Sequence, residues 1–228
     1  MEAVLPDRAV IFDLDGTLVD TAPDLMRATN FVLTGIGRRE LAVEEVRSFV
    51  GHGARALLTR GLAATGGLPD AYDVEVDYQR FVDFYAANIA HGSTPFPGLV
   101  RLLERLKDEG FGLGVCTNKL EGLSVQLLDA LDLSRFFGSV VGPDTLGIAK
   151  PDPKPFFEAV KRLNLDSPRA LMVGDSETDI LTARNAGVPV IAVPFGYTPR
   201  PVAEFGPDRM IAHFDEAYAA IQELFAEA

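Results

Sequence analysis

The chain has 228 residues, 47% of them hydrophobic and 24% charged, with 33 acidic against 21 basic side chains and a formal net charge of −12. Such a surface repels nucleic acid and no local cluster of Lys and Arg offsets it, while no apolar run approaches the roughly eighteen residues that would cross a bilayer. Met1 to Asp7 has no basic stretch followed by an apolar one, so a cytoplasmic chain is expected, and a single cysteine, Cys116, excludes an internal disulfide and a cysteine-based metal cluster.

Ala9-Val10-Ile11-Phe12 is the first short apolar run, of the kind a strand buried on both faces requires. About eighty residues without a convincing strand follow. Pro23 suits the first position of a helix that runs to Gly35 or Gly37, and Glu44 to Val50, Ala54 to Ala64 and Val74 to Ala90 are further helix candidates. The last carries Tyr78, Phe81, Phe84 and Tyr85 on a broad apolar face, expected to be the core of this segment; the alternative is a dimer face, so monomer and homodimer both stay open. Ser93 to Pro97 reads as the returning linker.

From there helix and strand alternate. Helices are expected over Leu99 to Asp108, Leu120 to Leu131, Pro155 to Leu163 and Glu177 to Ala186, and strands over Phe111 to Cys116, Ser139 to Val141, Ala170 to Val173 and Val188 to Val193. The pattern predicts a doubly wound α/β domain with a parallel sheet, residues 1–19 and 93–228, interrupted by a helical insert over 20–92. Cys116, inside an apolar run, is expected to act as a small buried hydrophobe.

Asp13 and Asp15 directly follow the first strand. Residues two apart at a strand end project to one side, which brings two carboxylates together; one can serve as nucleophile while the other exchanges protons. Gly16 lets the backbone turn sharply beside them. The next strand ends in Thr117-Asn118, Lys150 follows the third, and Gly174-Asp175-Ser176 ends the fourth. Ligands of open α/β sheets bind outside the carboxyl ends of the strands, so four strand ends deliver acids, an ammonium and neutral donors to one edge. That set suits phosphoryl transfer, with hard oxygens for Mg²⁺ and donors for the phosphoryl oxygens.

Phe12-Asp13-Leu14-Asp15-Gly16-Thr17, Thr117, Lys150-Pro151-Asp152-Pro153 and Gly174-Asp175-Ser176-Glu177-Thr178-Asp179 resemble, in order, the four motifs of the haloacid dehalogenase-like (HAD) hydrolases. The insert resembles their C1-type cap. The resemblance implies that Asp13 attacks phosphorus, that Asp15 protonates the leaving alcohol and then activates water, and that Thr117, Asn118 and Lys150 hold the phosphoryl group. It implies Mg²⁺ on Asp13, the Asp15 carbonyl and Asp175, with Asp179 in support. Thr21 to Leu25, Val50 to Arg55, Pro95 to Gly98 and Phe195 to Tyr197 are similar to segments of bacterial phosphoglycolate phosphatases, although Ala149 stands where many of these have His. The implied reaction is hydrolysis of 2-phosphoglycolate, a small phosphorylated substrate, with neither nucleic acid nor membrane as partner. The alternatives are a phosphatase of another small phosphomonoester or phosphosugar, a phosphomutase of the β-phosphoglucomutase type, and a non-catalytic binding module.

Gly51-His52-Gly53-Ala54-Arg55-Ala56 fits a dinucleotide fingerprint in letters only, because it follows a helix instead of a strand. Its expected place is an insert loop over the site, where Arg55 would hold a substrate carboxylate and His52 would line the pocket. Lys119 is expected to be a solvated helix start, and Asp144 a turn residue.

Overall fold

The computed structural model describes residues 8–67, 74–164 and 169–227. Strand β1 (Arg8–Phe12) is central in a six-stranded parallel sheet with β4 (Gly112–Cys116), β5 (Ser139–Val141), β6 (Arg169–Gly174), β7 (Val190–Ala192) and β8 (Arg209–Met210), in the order β5-β4-β1-β6-β7-β8. The expected doubly wound α/β core is therefore present. Both faces of the sheet are covered, which explains why its strands read as continuous apolar runs. Val10, Phe12, Leu113, Val115, Leu171 and Val173 enter one core; Ala9, Ile11, Cys116, Ala170 and Met172 enter the other. Helices α8 (Lys154–Arg162) and α9 (Glu177–Ala186) close the second face, and α5 (Leu99–Asp108) pairs with α10 (Phe214–Glu227) on the first. Cys116 is fully buried, and burial pushes its thiol up to about 12, as an inert core residue requires.

Between β1 and α5 lie α1 (Ala22–Gly35), α2 (Val43–Arg47), α3 (Ala54–Ala64) and α4 (Val74–Ala87). The second is shorter than expected, capped at Ser48, and the fourth stops three residues before Ala90, where the chain turns toward Gly92. Pro23 is the second helical residue, not the first. Phe81 and Tyr85 are buried, and Phe84 stacks on Phe31 at 4.4 Å. The linkers hold regular structure that the sequence did not announce: β2 (Val19–Asp20) pairs antiparallel with β3 (Thr94–Pro95). Two-residue strands, one of them ending in proline, carry no periodicity to detect. Among the described residues no helix is long and apolar enough to cross a membrane.

Asp24, in the first turn of α1, is 2% exposed and clamps the returning chain. It accepts the Gly92 N–H at 2.9 Å, the Ser93 N–H at 2.8 Å and the Ser93 hydroxyl at 2.7 Å. Asp24→Ala leaves all three donors without an acceptor and is expected to cost about 3 kcal/mol in urea unfolding; Asp24→Asn, which keeps one acceptor oxygen, is expected to lose less.

Candidate active site

The strand ladder extends one residue past β1 and β4. Asp13 N–H donates to Val173 O at 2.9 Å and Thr117 N–H to Val141 O at 3.0 Å, so both side chains are held in register with the sheet. Lys150 is buried between two acids, its Nζ 2.8 Å from Asp13 Oδ1 and 2.6 Å from Asp179 Oδ1. The approach to Asp13 is an ion-pair contact, and Asp13 Oδ1 accepts no well-directed hydrogen bond from the protein. Burial raises the Asp13 carboxyl from 3.8 to about 6 against the opposing pull of Lys150.

Asp175 directly follows β6 and is 2% exposed. Thr17 Oγ1 donates to its Oδ1 at 2.8 Å, and the Tyr197 N–H donates to its Oδ2 at 2.6 Å. Burial, with Asp179 and Asp13 nearby, holds its carboxyl well above the ordinary range. Asp13, Asp175 and Asp179 bring carboxylate oxygens within 4.8 Å of one another. Asp179 has the most partners of the three. Its Oδ2 accepts from Asp175 N–H at 3.2 Å, Ser176 N–H at 3.1 Å and Ser176 Oγ at 2.6 Å, while its Oδ1 takes Lys150. Asp179 therefore braces the β6–α9 turn and Lys150. Three buried carboxylates face one ammonium, and an excess of hard oxygen charge of this kind fits a divalent cation at Asp13 and Asp175.

Gly16 makes this packing possible. Its φ is +86°, and a Cβ there would stand 2.6 Å from Asp175 Oδ2 and 2.9 Å from Tyr197 Cδ2. Gly16→Ala is expected to cost about 2–3 kcal/mol in thermal or urea unfolding and to lower activity by displacing Asp175.

Asp15 sits in a separate environment. Lys119 Nζ donates to its Oδ1 at 3.0 Å and its Oδ2 at 3.2 Å, and also to Tyr85 Oη at 2.7 Å. Lys119 is 8% exposed, so the expectation of a solvated helix start fails. Burial alone would lower its pKa, but Asp15 and Tyr85 outweigh it and the ammonium is held charged. The partners are 104 and 34 residues away, beyond any local pattern. The one available signal was position, two residues past Thr117 at a strand end.

Core and insert enclose a cavity of about 280 Å³. Asp13, Asp15, Thr117, Asn118, Lys119 and Lys150 line it from the sheet edge; the loop Val50–Arg55, Tyr78, Phe81 and Tyr85 line it from the helices. Asn118 spends its side chain on the walls. Its Nδ2 donates to Gly51 O and to Lys150 O, each at 3.2 Å, and its Oδ1 accepts Lys150 N–H at 2.9 Å. The Gly51–Gly53 loop thus rests on the core, linking α2 to α3 as a helix–helix connection. His52 lines the cavity, its pKa lowered by burial and by Arg60. Arg55 also reaches the lining, but its guanidinium pairs with Glu75 and lies 3.9 Å over the Tyr78 ring. Asp144 accepts the Glu121 N–H at 2.8 Å from outside the cavity.

A parallel doubly wound sheet with acids gathered at its carboxyl edge defines the class: an α/β core of the haloacid dehalogenase-like type. A profile of haloacid dehalogenase-like hydrolases matches residues 10–193, and the chain belongs to that family. It is 52% identical over 205 residues to the phosphoglycolate phosphatase of Caulobacter vibrioides, covering 90% of this chain and 86% of that one. To the phosphoglycolate phosphatase of Mesorhizobium japonicum it is 42% identical over 219 residues, 96% of each chain. The fold is similar, with a TM-score of 0.85 at 28% identity, to the crystal structure of a predicted phosphoglycolate phosphatase from Haemophilus somnus, over 96% of this chain and 99% of that one.

Proposed function

We propose that this chain is a Mg²⁺-dependent phosphatase that hydrolyses 2-phosphoglycolate to glycolate and phosphate, using Asp13 as nucleophile and Asp15 for proton transfer. The observation that carries the reading is the separation of the two acids: Asp13 lies in the buried cluster with Lys150, and Asp15 pairs with Lys119 at the edge of the cavity. Different surroundings for two neighbouring carboxylates support different roles. The names of the relatives support the substrate.

In the first half-reaction an Asp13 oxygen bonds to phosphorus as the ester P–O bond breaks, and Asp15 gives its proton to the departing glycolate oxygen. In the second, Asp15 takes a proton from water, whose oxygen attacks phosphorus and releases the Asp13 carboxylate with inorganic phosphate. Lys150 and Thr117 would hold the phosphoryl oxygens throughout. Asp13, Asp175 and the Asp15 carbonyl would hold Mg²⁺, which when bound neutralises charge on the transferring group. Residues 20–92 would act as a cap that excludes water from the cavity, with residues 1–19 and 93–228 as the catalytic core.

Steady-state rates over a panel of small phosphate esters, with and without Mg²⁺, test this. The highest kcat/KM is expected for 2-phosphoglycolate in the presence of Mg²⁺. Preference for another ester by about a hundredfold, some 2.7 kcal/mol in transition-state binding, would overturn the substrate. No phosphate release from p-nitrophenyl phosphate by folded protein under either condition would overturn the phosphatase.

A further inference from the structure

We propose that Lys119 and Tyr85 together form the subsite that recognises a carboxylate on the leaving group of the substrate. The inference deepens the phosphoglycolate reading and rests on it.

The position follows from the chemistry. In glycolate the carboxylate carbon is two bonds from the oxygen that receives the proton of Asp15. A group that binds that carboxylate must therefore stand beside Asp15, and Lys119 Nζ lies 3.0 Å from Asp15 Oδ1. Among the described residues three full cations line the cavity. Lys150 is committed to Asp13 and Asp179 at the phosphoryl end. Arg55 is turned to Glu75 and stacked on Tyr78. Lys119 is the cation on the leaving-group side, and its burial makes its charge count for more than one in water would.

Tyr85 supplies the second donor. Its Oη accepts from Lys119, and among the described residues its own hydroxyl proton has no acceptor. Burial pushes the phenol up to about 12, so it stays a donor. The hydroxyl presents a free donor to a carboxylate entering beside Asp15, and the ammonium 2.7 Å away, now held by Asp15 and Tyr85, supplies the positive charge and can turn an N–H from Asp15 to the incoming oxygen. Lys119 follows β4 of the core and Tyr85 belongs to α4 of the insert. The subsite is complete only when the two are together.

The test compares 2-phosphoglycolate with ethyl phosphate, which keeps a two-carbon leaving group and lacks the carboxylate. Tyr85→Phe removes only the hydroxyl and is expected to lower the kcat/KM preference for 2-phosphoglycolate over ethyl phosphate about tenfold. Lys119→Met is expected to lower it further, about a hundredfold. If both variants lose activity equally on the two esters and keep the wild-type ratio within twofold, the pair serves only Asp15 or the fold and the proposal is overturned. A wild-type enzyme with no preference for any carboxylated ester overturns it as well. A wild type that favours a different carboxylated phosphoester, with that preference lost in Tyr85→Phe, overturns the phosphoglycolate reading and upholds the subsite.

Discussion

Asp13→Asn is expected to lower turnover by roughly four orders of magnitude or more, because the amide cannot form the covalent intermediate through which both half-reactions run. The fold is expected to survive. Asparagine has the shape of aspartate, keeps the backbone bond from residue 13 to Val173 O and leaves Lys150 paired with Asp179. Burial already disfavours the charged form of Asp13, so removing its charge takes little from the native state. Phosphate release under single-turnover conditions, with a thermal melt of the same sample, separates the two effects. Substantial residual turnover by well-folded protein would contradict the assignment of Asp13 as nucleophile.

Lys150→Met is expected to destabilise the protein by about 3–5 kcal/mol in urea unfolding without divalent cation, beyond its loss of activity. The reason is the charge count. Lys150 is buried between Asp13 and Asp179, with Asp175 alongside, and without it the cluster holds three carboxylates and no ammonium. Mg²⁺ is expected to raise the unfolding midpoint of the variant more than that of the wild type, since a ligand of the native state stabilises by mass action. An unfolding midpoint equal to that of the wild type without Mg²⁺ would mean that Lys150 does not balance the cluster.

What could be read from sequence divides along a physical line. Ala9 to Phe12, Phe111 to Cys116 and Ala170 to Val173 were visible as strands because both of their faces are buried, leaving no polar residue to break the run. Helices α3, α5 and α9 match their expected ends, closed by changes of composition or by glycine. The four strand ends were legible as one edge because parallel topology brings them there whatever their separation in the chain. Side-chain commitments were not legible. Asn118, expected as a phosphate ligand, ties Gly51 to Lys150, and Arg55 pairs with a glutamate twenty residues on. Lys119 appeared to face solvent because its partners Asp15 and Tyr85 meet it only in three dimensions. Local pattern reports which surface of an element is apolar; it does not say which polar group fills which acceptor.

The ribbon of Val19–Asp20 with Thr94–Pro95, tightened by Asp24 on Gly92 and Ser93, means that the chain leaves the core and returns to it at one point. From the side of the sheet, the helices between those strands amount to a single long loop whose ends are already joined. Lengthening such a loop adds little closure entropy, since that cost grows only with the logarithm of its length. The pairing of β1 with β4 and β6 lies outside that loop. The molecule has the form of a graft, with the acids and Lys150 on the rootstock and Tyr78, Phe81 and Tyr85 on the scion, the two meeting at one cavity.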